Sequence, residues 1–134
     1  MSSRAARKGS MPSAEDRIRY IDYEGATVLL VDMSHTSPQE LGTIAALVPD
    51  YATEHPMGSV LLMADFTGAT FDKSCVEKLK VAMVLDKPRL KKAAWVGTDT
   101  LPKVFFENMQ MFAQRQLTTF ATREEALKWL VTAE

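Results

Sequence analysis

The 134-residue sequence contains one cysteine and two histidines. Cys75 has no second thiol in the chain with which to form an internal disulfide, which suits a reducing compartment. Together with His35 and His55 it cannot supply the clustered ligand spacing of a zinc site. We therefore expect a cytoplasmic protein with no disulfide framework, no metal site and no cofactor.

Long apolar runs and an excess of charge of one sign are also absent. No apolar run approaches the roughly 18 residues that a membrane-spanning helix needs, so no integral membrane segment is expected. The formal net charge is −1, which provides no global field to attract nucleic acid. The basic segment DKPRLKK, at 86–92, lacks the aromatic partners of a nucleic-acid patch and is interpreted as a solvated loop.

The composition indicates one domain behind a polar tail. Residues 1–16 contain Arg4, Arg7 and Lys8 but no apolar segment behind them, so they do not read as a secretory signal. They are predicted to be disordered. Hydrophobic residues make up 46% of the chain, which is enough to build a core. Residues 17–134 are therefore predicted to form a single domain.

Five segments carry strand signals. The first, at 18–23, is followed by the turn residues Glu24-Gly25, which predict an antiparallel hairpin with the next strand. Three further segments, at 27–32, 59–66 and 91–97, are largely apolar, as expected of strands in a parallel sheet buried on both faces. The segment at 117–120 is predicted to be a short last strand.

Helices are predicted between these strands. Ser37, Pro38 and Glu40 form a capping box with proline at the first helical position, and Pro49 should end or kink the helix that follows. The other helices are predicted at 72–86, at 101–116 and from Thr122 onward. The alternation predicts an α/β domain with a mixed sheet of about five strands and about four helices. The first strand should be antiparallel and the rest parallel.

Two aspartates end predicted strands and are the first candidates for a site. Asp32 and Asp65 are expected to lie side by side at the carboxyl edge of the sheet, where open α/β sheets usually place their sites. A receiver-like metal site would need a second acid at position 33 and a lysine closing the last strand, but Met33 and Phe120 stand there. The favoured interpretation is that each aspartate hydrogen-bonds turn amides in its own loop. The candidate loop residues at the strand ends are Asp32, Asp65, Thr67 and Asp72.

Catalytic signals are weak throughout the chain. Ser34 and His35 follow Asp32 closely, but residues adjacent on one loop rarely point at one another. The sequence has no G-x-S-x-G elbow and no glycine-rich phosphate loop. We therefore expect no catalytic residues and no enzymatic activity.

The predicted helix at 101–116 presents apolar residues on two sides. Phe105 and Phe112 share a broad face that should belong to the core. Val104 and Met111 are seven residues apart and fall nearly opposite that face. These four residues are predicted to form a surface for a partner or an apolar ligand.

Three segments together resemble a known family. They are DFTGATF before a helix, KKAAWVG as a late strand and FATREEALKWL near the end. In this order they resemble the STAS superfamily, named after sulphate transporters and bacterial anti-sigma-factor antagonists. The closer similarity is to small stand-alone bacterial proteins described as STAS/SEC14-like or anti-sigma-antagonist-like. The resemblance runs from about Ile18 to Val131 and implies a mixed sheet with an antiparallel first strand and helices packed against it.

The resemblance also implies a switch position. In the antagonists the strand–turn–helix segment reads roughly D-L-S-x-V-x-F-x-D-S-S-G. Aligned on that pattern, Asp65 is the first acid and the phosphorylated serine falls at Ser74. The pattern's second acid, second serine and glycine are replaced here by Lys73, Cys75 and Val76.

Helix-start chemistry explains the same segment without a switch. Asp72 is a good N-cap, and Phe71 with Val76 matches the hydrophobic staple around a helix start. Ser74 then occupies the second helical position. A phosphate there would lie beside free amides and the positive end of the helix dipole. Cys75 falls on the apolar stripe and is predicted to be a packed thiol.

Three functions remain open at this point. The first is a non-catalytic, STAS-like regulatory or protein-interaction domain of bacterial type, and the second is a binding module for a small apolar or lipid-like ligand. The third is an acid-pair metal or phosphotransfer site at Asp32 and Asp65. The sequence names neither the protein partner nor the ligand, and it leaves open whether the chain forms a homodimer.

Overall fold

The computed structural model describes residues 14–103 and 117–132, which form a five-stranded sheet with helices on both faces. The strands are β1 (Ile18–Tyr23), β2 (Ala26–Asp32), β3 (Val60–Asp65), β4 (Leu90–Val96) and β5 (Leu117–Phe120). The α-helices are α1 (Pro38–Ala52), α2 (Lys73–Asp86) and α3 (Arg123–Val131). Short 3-10 turns occur at Ala14–Arg17, Lys87–Arg89 and Thr98–Thr100. Within these ranges, no helix combines the length and the apolar character needed to cross a membrane.

The strand order follows the chain from β1 to β5. β1 pairs antiparallel with β2, and the pairs β2–β3, β3–β4 and β4–β5 are all parallel. The predicted α/β class and mixed sheet are therefore confirmed. The described residues contain three α-helices against the about four expected. The predicted helix at 101–116 lies, from residue 104 onward, outside the described part of the chain.

The sheet separates two apolar cores. On one face α1 and α2 pack over the sheet and against each other, and Phe66 and Trp95 lie at the centre of that core with ring centroids 4.7 Å apart. On the other face α3 covers β3 and β4 through Ala126 and Leu130. Because both faces of the central strands are covered, their residues are almost all apolar, as parallel sheets require.

Capping determines where α1 begins, but Pro49 does not end it. Glu40 donates its backbone N–H to Ser37 Oγ at 3.2 Å, and Ser37 returns the bond to Glu40 Oε1 at 2.9 Å, which confirms the capping box. The sequence predicts that the helix ends or kinks at Pro49. The helix does not end there, since α1 continues to Ala52. Proline removes only its own N–H bond, and Thr53 closes the last turn by donating N–H and Oγ1 to the Pro49 carbonyl at 2.9 and 2.8 Å.

The solvated-loop interpretation of the basic segment is wrong for Lys92. β4 begins at Leu90, so this lysine lies within the sheet, and it is only 3% exposed. Its Nζ donates to the carbonyl oxygens of Trp129 and Thr132, at 2.9 Å each, and lies 4.6 Å from the centroid of the Trp129 ring. Lys92 therefore satisfies the carbonyls at the C-terminal end of α3, where a cation is also favoured by the helix dipole.

Candidate functional site

Asp32 and Asp65 are directly paired in the register of β2 and β3, so the two carboxylates lie next to each other at the carboxyl edge of the sheet. Ser34 donates its N–H and Oγ to Asp32 Oδ1 at 3.0 and 2.5 Å. Thr67 donates the same two groups to Asp65 Oδ1 at 2.9 and 2.6 Å. The same aspartate turn thus occurs twice, as the turn interpretation predicted.

The loops that follow β2 and β3 are bonded to each other. His35 N–H donates to the Thr67 carbonyl at 2.8 Å, and Thr70 donates N–H and Oγ1 to the Thr36 carbonyl at 3.0 and 2.9 Å. Gly68 has φ +69°, and a Cβ there would collide with the ring of His35. Position 68 therefore needs glycine both for its backbone angle and for this close approach. His35 is an exposed residue of the loop pair, and its ring lies against Gly68.

Arg123, the first residue of α3, bridges the two aspartates. Its Nε donates to Asp65 Oδ2 at 2.6 Å, and its Nη2 lies 3.3 Å from Asp32 Oδ1. Arg17 also contacts this group: its Nη1 lies 3.9 Å from Asp32 Oδ1 and donates to the carbonyls of Asp32 and Ser34 at 3.2 and 3.0 Å. A metal ion between the carboxylates would have to displace a guanidinium group. Within the described ranges no cluster of three or more His, Cys, Asp or Glu side chains could hold a metal ion.

These contacts change the acidity of Asp65. Burial alone would raise the pKa of this carboxyl. The hydrogen bonds from Thr67 and the bond and positive charge of Arg123 outweigh burial and hold the pKa of Asp65 below its usual value. The residue is therefore an ionised, fully bonded anchor for the loops, and such a group is poorly suited to exchange protons near neutral pH.

Sequence reasoning did not find Arg123. Its signal was present, because a cation at the first position of a helix faces the positive end of the dipole and is unfavourable unless a specific anion is nearby. What the sequence could not give is the packing of α3 across β3 and β4, which brings the guanidinium to the strand ends. Asp32, Asp65 and Thr67 therefore lie together in the structure with a partner from the far end of the chain.

Asp72 belongs to a different set of hydrogen bonds, those at the start of α2, where it is the N-cap residue. Its Oδ1 accepts the Cys75 N–H at 2.8 Å, and its own N–H donates to Cys75 Sγ at 3.3 Å. The predicted N-cap is therefore confirmed. Cys75 is buried, and its burial raises the pKa of the thiol, as expected of a packed cysteine. Ser74 is exposed in the second position of the helix.

The outer side of α2 carries an apolar surface that sequence reasoning missed. Val81, Val84 and Leu85 are 59%, 67% and 54% exposed. Ser74 lies on the same line of the helix as Val81 and Leu85, since the spacings of seven and eleven residues return to one side. We call Ser74, Lys78, Val81, Val84 and Leu85 the α2 face. The sequence did indicate this surface, because three large apolar residues of the helix fall outside the buried stripe of Cys75, Leu79 and Ala82.

A groove of about 260 Å³ runs along one side of the α2 face. Its lining includes Ala46 and Pro49 of α1 and Val81, Ala82 and Leu85 of α2. The groove is therefore apolar along most of its length. Glu77 and Lys78 are the charged residues that line it.

A cavity of about 50 Å³ lies inside the core between α1, α2 and the sheet. Among the residues that the structure describes, its lining is apolar except for Asp86, the last residue of α2. Asp86 is 6% exposed, and its Oδ1 has no hydrogen-bond partner within residues 14–103 and 117–132. Burial raises the pKa of this carboxyl from 3.8 to about 7. The apolar residues around the cavity are Val31, Met33, Ala45, Val48, Leu62, Ala64, Phe66, Leu79, Ala82, Met83, Leu90, Ala93, Trp95 and Leu117.

The surface predicted at Val104, Phe105, Met111 and Phe112 lies outside the described residues. It stays a prediction from the sequence. The described part of the chain contributes instead the α2 face and the cavity, which the sequence did not single out.

The chain was also compared with known proteins. No family model matches it, and no curated protein matches it either. The similarity to the STAS superfamily therefore rests on the three sequence segments, and the family of this chain stays a hypothesis.

Proposed function

We propose that this chain is a non-catalytic, STAS-like regulatory domain of the bacterial cytoplasm that acts by binding a protein partner through the α2 face. The observation that supports this most directly is the exposure of three large apolar side chains on one helix beside an apolar groove. Single exposed apolar residues are ordinary, but a contiguous set rimmed by charged residues is typical of an interaction surface.

The energetics favour a partner that covers this helix. Fully burying a Val or Leu side chain is worth roughly 1.5–3 kcal/mol, so covering Val81, Val84 and Leu85 offers several kcal/mol before the costs of association. Ala46 and Pro49 extend the apolar area across the groove to α1. Lys78 and Glu77 supply charges at the rim, where they contribute to specificity more than to affinity.

Ser74 connects the surface to regulation. The resemblance implies a phosphorylated serine at this position, and Ser74 is exposed at the N-terminal end of the same helix line as Val81 and Leu85. A phosphate there would be stabilised by the free amides and dipole of the helix start. It would also add about two negative charges beside the apolar groove and change what can bind there.

Quantitative pull-down from the native host tests the proposal. Val81→Lys and Leu85→Lys should each reduce recovery of a specific partner by about tenfold or more, because a hot-spot side chain is worth on the order of 2 kcal/mol. Met57→Lys is the matched control, since Met57 is 67% exposed but lies outside the α2 face. Equal recovery with all three variants would show that the α2 face is not the binding surface.

The same design tests regulation and self-association. Ser74→Asp should change partner recovery while Ser74→Ala should not, if charge at this position controls binding. Sedimentation of the purified wild type and Val81→Lys shows whether the partner is a second copy of this chain. A dimer that dissociates in Val81→Lys would identify the α2 face as a homodimer interface.

A second candidate function is the binding of a small apolar ligand, and the cavity beside Asp86 favours it. Apolar cavities in protein interiors take up apolar guests of fitting size. The third function, an acid-pair metal or phosphotransfer site, is not proposed, because Arg123 bridges Asp32 and Asp65 and, together with Arg17 beside Asp32, balances their charge.

A further inference from the structure

We propose that the outer edge of β1 binds the same edge of a second copy of this chain, which joins the two sheets through one antiparallel seam. This inference goes beyond the proposed function, because β1 contributes no residue to the α2 face or to its groove. The protein partner at the α2 face and the second copy at β1 are therefore bound by different surfaces.

The turn between β1 and β2 determines which backbone groups of β1 point outward. Glu24 and Gly25 are the two loop residues, and their φ angles of +48° and +83° are typical of a type I′ turn. In such a hairpin Tyr23 and Ala26 exchange both of their hydrogen bonds, and bonded residues then alternate along the strand with residues whose N–H and C=O point away. The outward-pointing groups of β1 belong to Ile18, Tyr20 and Asp22.

The outward groups of β1 lack a backbone partner in residues 14–103 and 117–132. β1 is the first strand in the sheet order, and its pairing there is with β2. None of the backbone hydrogen bonds made by the loops and turns of these residues reaches Tyr20 or Asp22. The edge therefore presents a row of donors and acceptors that another strand can pair with.

β1 lacks the features that usually protect an edge strand. Natural edges are commonly short, bent by a bulge, interrupted by proline or charged with lysine, and each of these prevents pairing. The sequence of β1, IRYIDY, contains no proline, and its six residues pair with β2 without a bulge. Its two charged residues, Arg19 and Asp22, have opposite signs. A second copy of this strand is therefore not repelled by net charge.

A second copy fits this edge better than an unrelated peptide does. Peptides that add a strand to a sheet are selected by side-chain pockets beside the edge. Neither the core cavity nor the groove beside α2 is lined by a residue of β1. Two copies of β1 are equal in length, and a two-fold axis perpendicular to the sheet makes them antiparallel, so the donors of each copy meet the acceptors of the other.

The favoured register sets Tyr20 of each copy opposite Asp22 of the other. These two residues then form four backbone hydrogen bonds across the seam. Ile21 lies opposite its own symmetry mate as a close pair, and the exposed Arg19 lies opposite the half-buried ring of Tyr23. The seam gains an apolar contact at the axis and two cation–ring contacts beside it. Setting Tyr20 opposite itself would place Arg19 against Ile21 and lose these contacts.

Two substitutions at one position isolate the backbone contribution. Asp22→Pro removes an outward N–H without removing a hydrogen bond to β2, and proline is tolerated at such positions of edge strands. Asp22→Ala keeps the N–H but removes the same carboxylate, which accepts a bond of 3.4 Å from Thr27 Oγ1. Both variants and the wild type are sedimented between about 1 and 200 µM, a range suited to a small interface.

We expect the wild type and Asp22→Ala to dimerise with Kd values within about threefold of each other. Asp22→Pro should raise the Kd about tenfold or more, because each dimer loses two hydrogen bonds. Amide hydrogen exchange of the wild type gives a readout that needs no variant. The amides of Tyr20 and Asp22 should be protected only where the dimer forms, and those of Arg19 and Ile21, bonded to β2, at every concentration.

Oxidative cross-linking tests the register. The Cα atoms of a close antiparallel pair lie about 4.5 Å apart, which a disulfide can span, so Ile21→Cys should form a covalent dimer. Tyr23→Cys is the control, since the two copies of position 23 would lie roughly 13 Å apart along the strands. Cross-linking of Tyr23→Cys in place of Ile21→Cys would overturn the register and leave the seam in place.

Three other results would overturn the seam itself. The first is a wild type that stays monomeric throughout the range, and the second is a dimer in which the amides of Tyr20 and Asp22 exchange freely. The third is a dimer that dissociates in Val81→Lys but not in Asp22→Pro, which would place the second copy on the α2 face and leave the proposed function standing. Protection of the same two amides by a host protein, with no dimer, would assign the edge to a peptide strand and refute the second copy.

Discussion

Nε of Arg123 donates a hydrogen bond of 2.6 Å to Oδ2 of Asp65, which joins the first residue of α3 to the end of β3 across 58 positions of sequence. The bond offsets two local costs. Asp65 is almost fully buried at the sheet edge, and Arg123 stands at the unfavourable end of its own helix dipole. Each side chain therefore offsets the unfavourable position of the other, and the pair anchors α3 over the carboxyl ends of β2 and β3.

Removing the guanidinium should destabilise the domain. Arg123→Met is expected to lower the free energy of unfolding by about 2–3 kcal/mol, because it leaves a buried carboxylate with its charge uncompensated. The measurement is the urea midpoint at pH 7. Lys128→Met is the matched control, as this lysine is exposed on the same helix. Equal midpoints for the two variants would mean that the pair contributes nothing.

The same variant should change the response to acid. The pKa of Asp65 is lowered in the folded protein, so its stabilisation is present above the pKa of the unfolded chain and is lost as pH falls through the folded pKa. Without Arg123 the folded pKa rises, and the acid loss of stability should begin at higher pH. Unfolding curves of wild type and Arg123→Met between pH 3 and 6 would measure this shift.

The helix-start chemistry of α2 predicts different outcomes for substitutions at Asp72 and Ser74, which are two positions apart. Asp72→Ala should lower stability by about 1 kcal/mol, since it removes the acceptor of the Cys75 N–H. Ser74→Ala should leave the unfolding midpoint within error of wild type, because the cap lies at Asp72. A loss at Ser74 as large as that at Asp72 would contradict the assignment of the cap.

Lys92 should be important for stability although it is a lysine. Lys92→Met keeps most of the volume and the apolar stem but removes the donor to the carbonyls of Trp129 and Thr132. We expect a loss of about 2 kcal/mol, in the range for buried acceptors left without a partner. Lys91→Met changes the exposed neighbour in the same strand and serves as the control. Similar midpoints for Lys91→Met and Lys92→Met would refute the role of Lys92 in satisfying the carbonyls at the C-terminal end of α3.

The sheet edge shows what sequence can and cannot predict. Asp32 and Asp65 could be placed side by side because both end apolar strands separated by a crossover helix, and their turns follow from local bonding. Arg123 could not be placed there, since its position depends on how α3 packs over the sheet. The same limit applies to Lys92: the strand predicted at 91–97 includes it, but its burial against the end of α3 depends on how that helix packs.

The α2 face and the cavity were missed for a related reason. Val81, Val84 and Leu85 have the composition of core residues, and only the side on which α1 packs shows that they are exposed. Asp86 ends a predicted helix and is followed by lysine and proline, a context typical of a solvated turn. Its burial, to 6% exposure, results from tertiary packing that no local pattern reveals.

The buried carboxyl of Asp86 should make stability fall as pH rises. Its pKa is raised from 3.8 to about 7 in the folded protein, so the folded state binds the proton more tightly than the unfolded chain. Below about pH 4 Asp86 is protonated in the folded and in the unfolded state, and its contribution to stability is kept. Between about pH 4 and 7 the unfolded chain ionises while the folded protein does not, and the stabilisation declines until it is lost above the folded pKa.

Asp86→Asn should remove this pH dependence. The amide stays neutral in both states, so the variant should exceed the wild type by only about 1 kcal/mol near pH 4.5 and by a few kcal/mol at pH 8, given about 1.4 kcal/mol per pKa unit. Urea midpoints at pH 4.5, 6 and 8 measure the difference, and Glu77→Gln on the exposed side of α2 is the control. A constant offset between Asp86→Asn and wild type at all three pH values would show that Asp86 is ionised throughout, and the carboxyl would then have to be solvated.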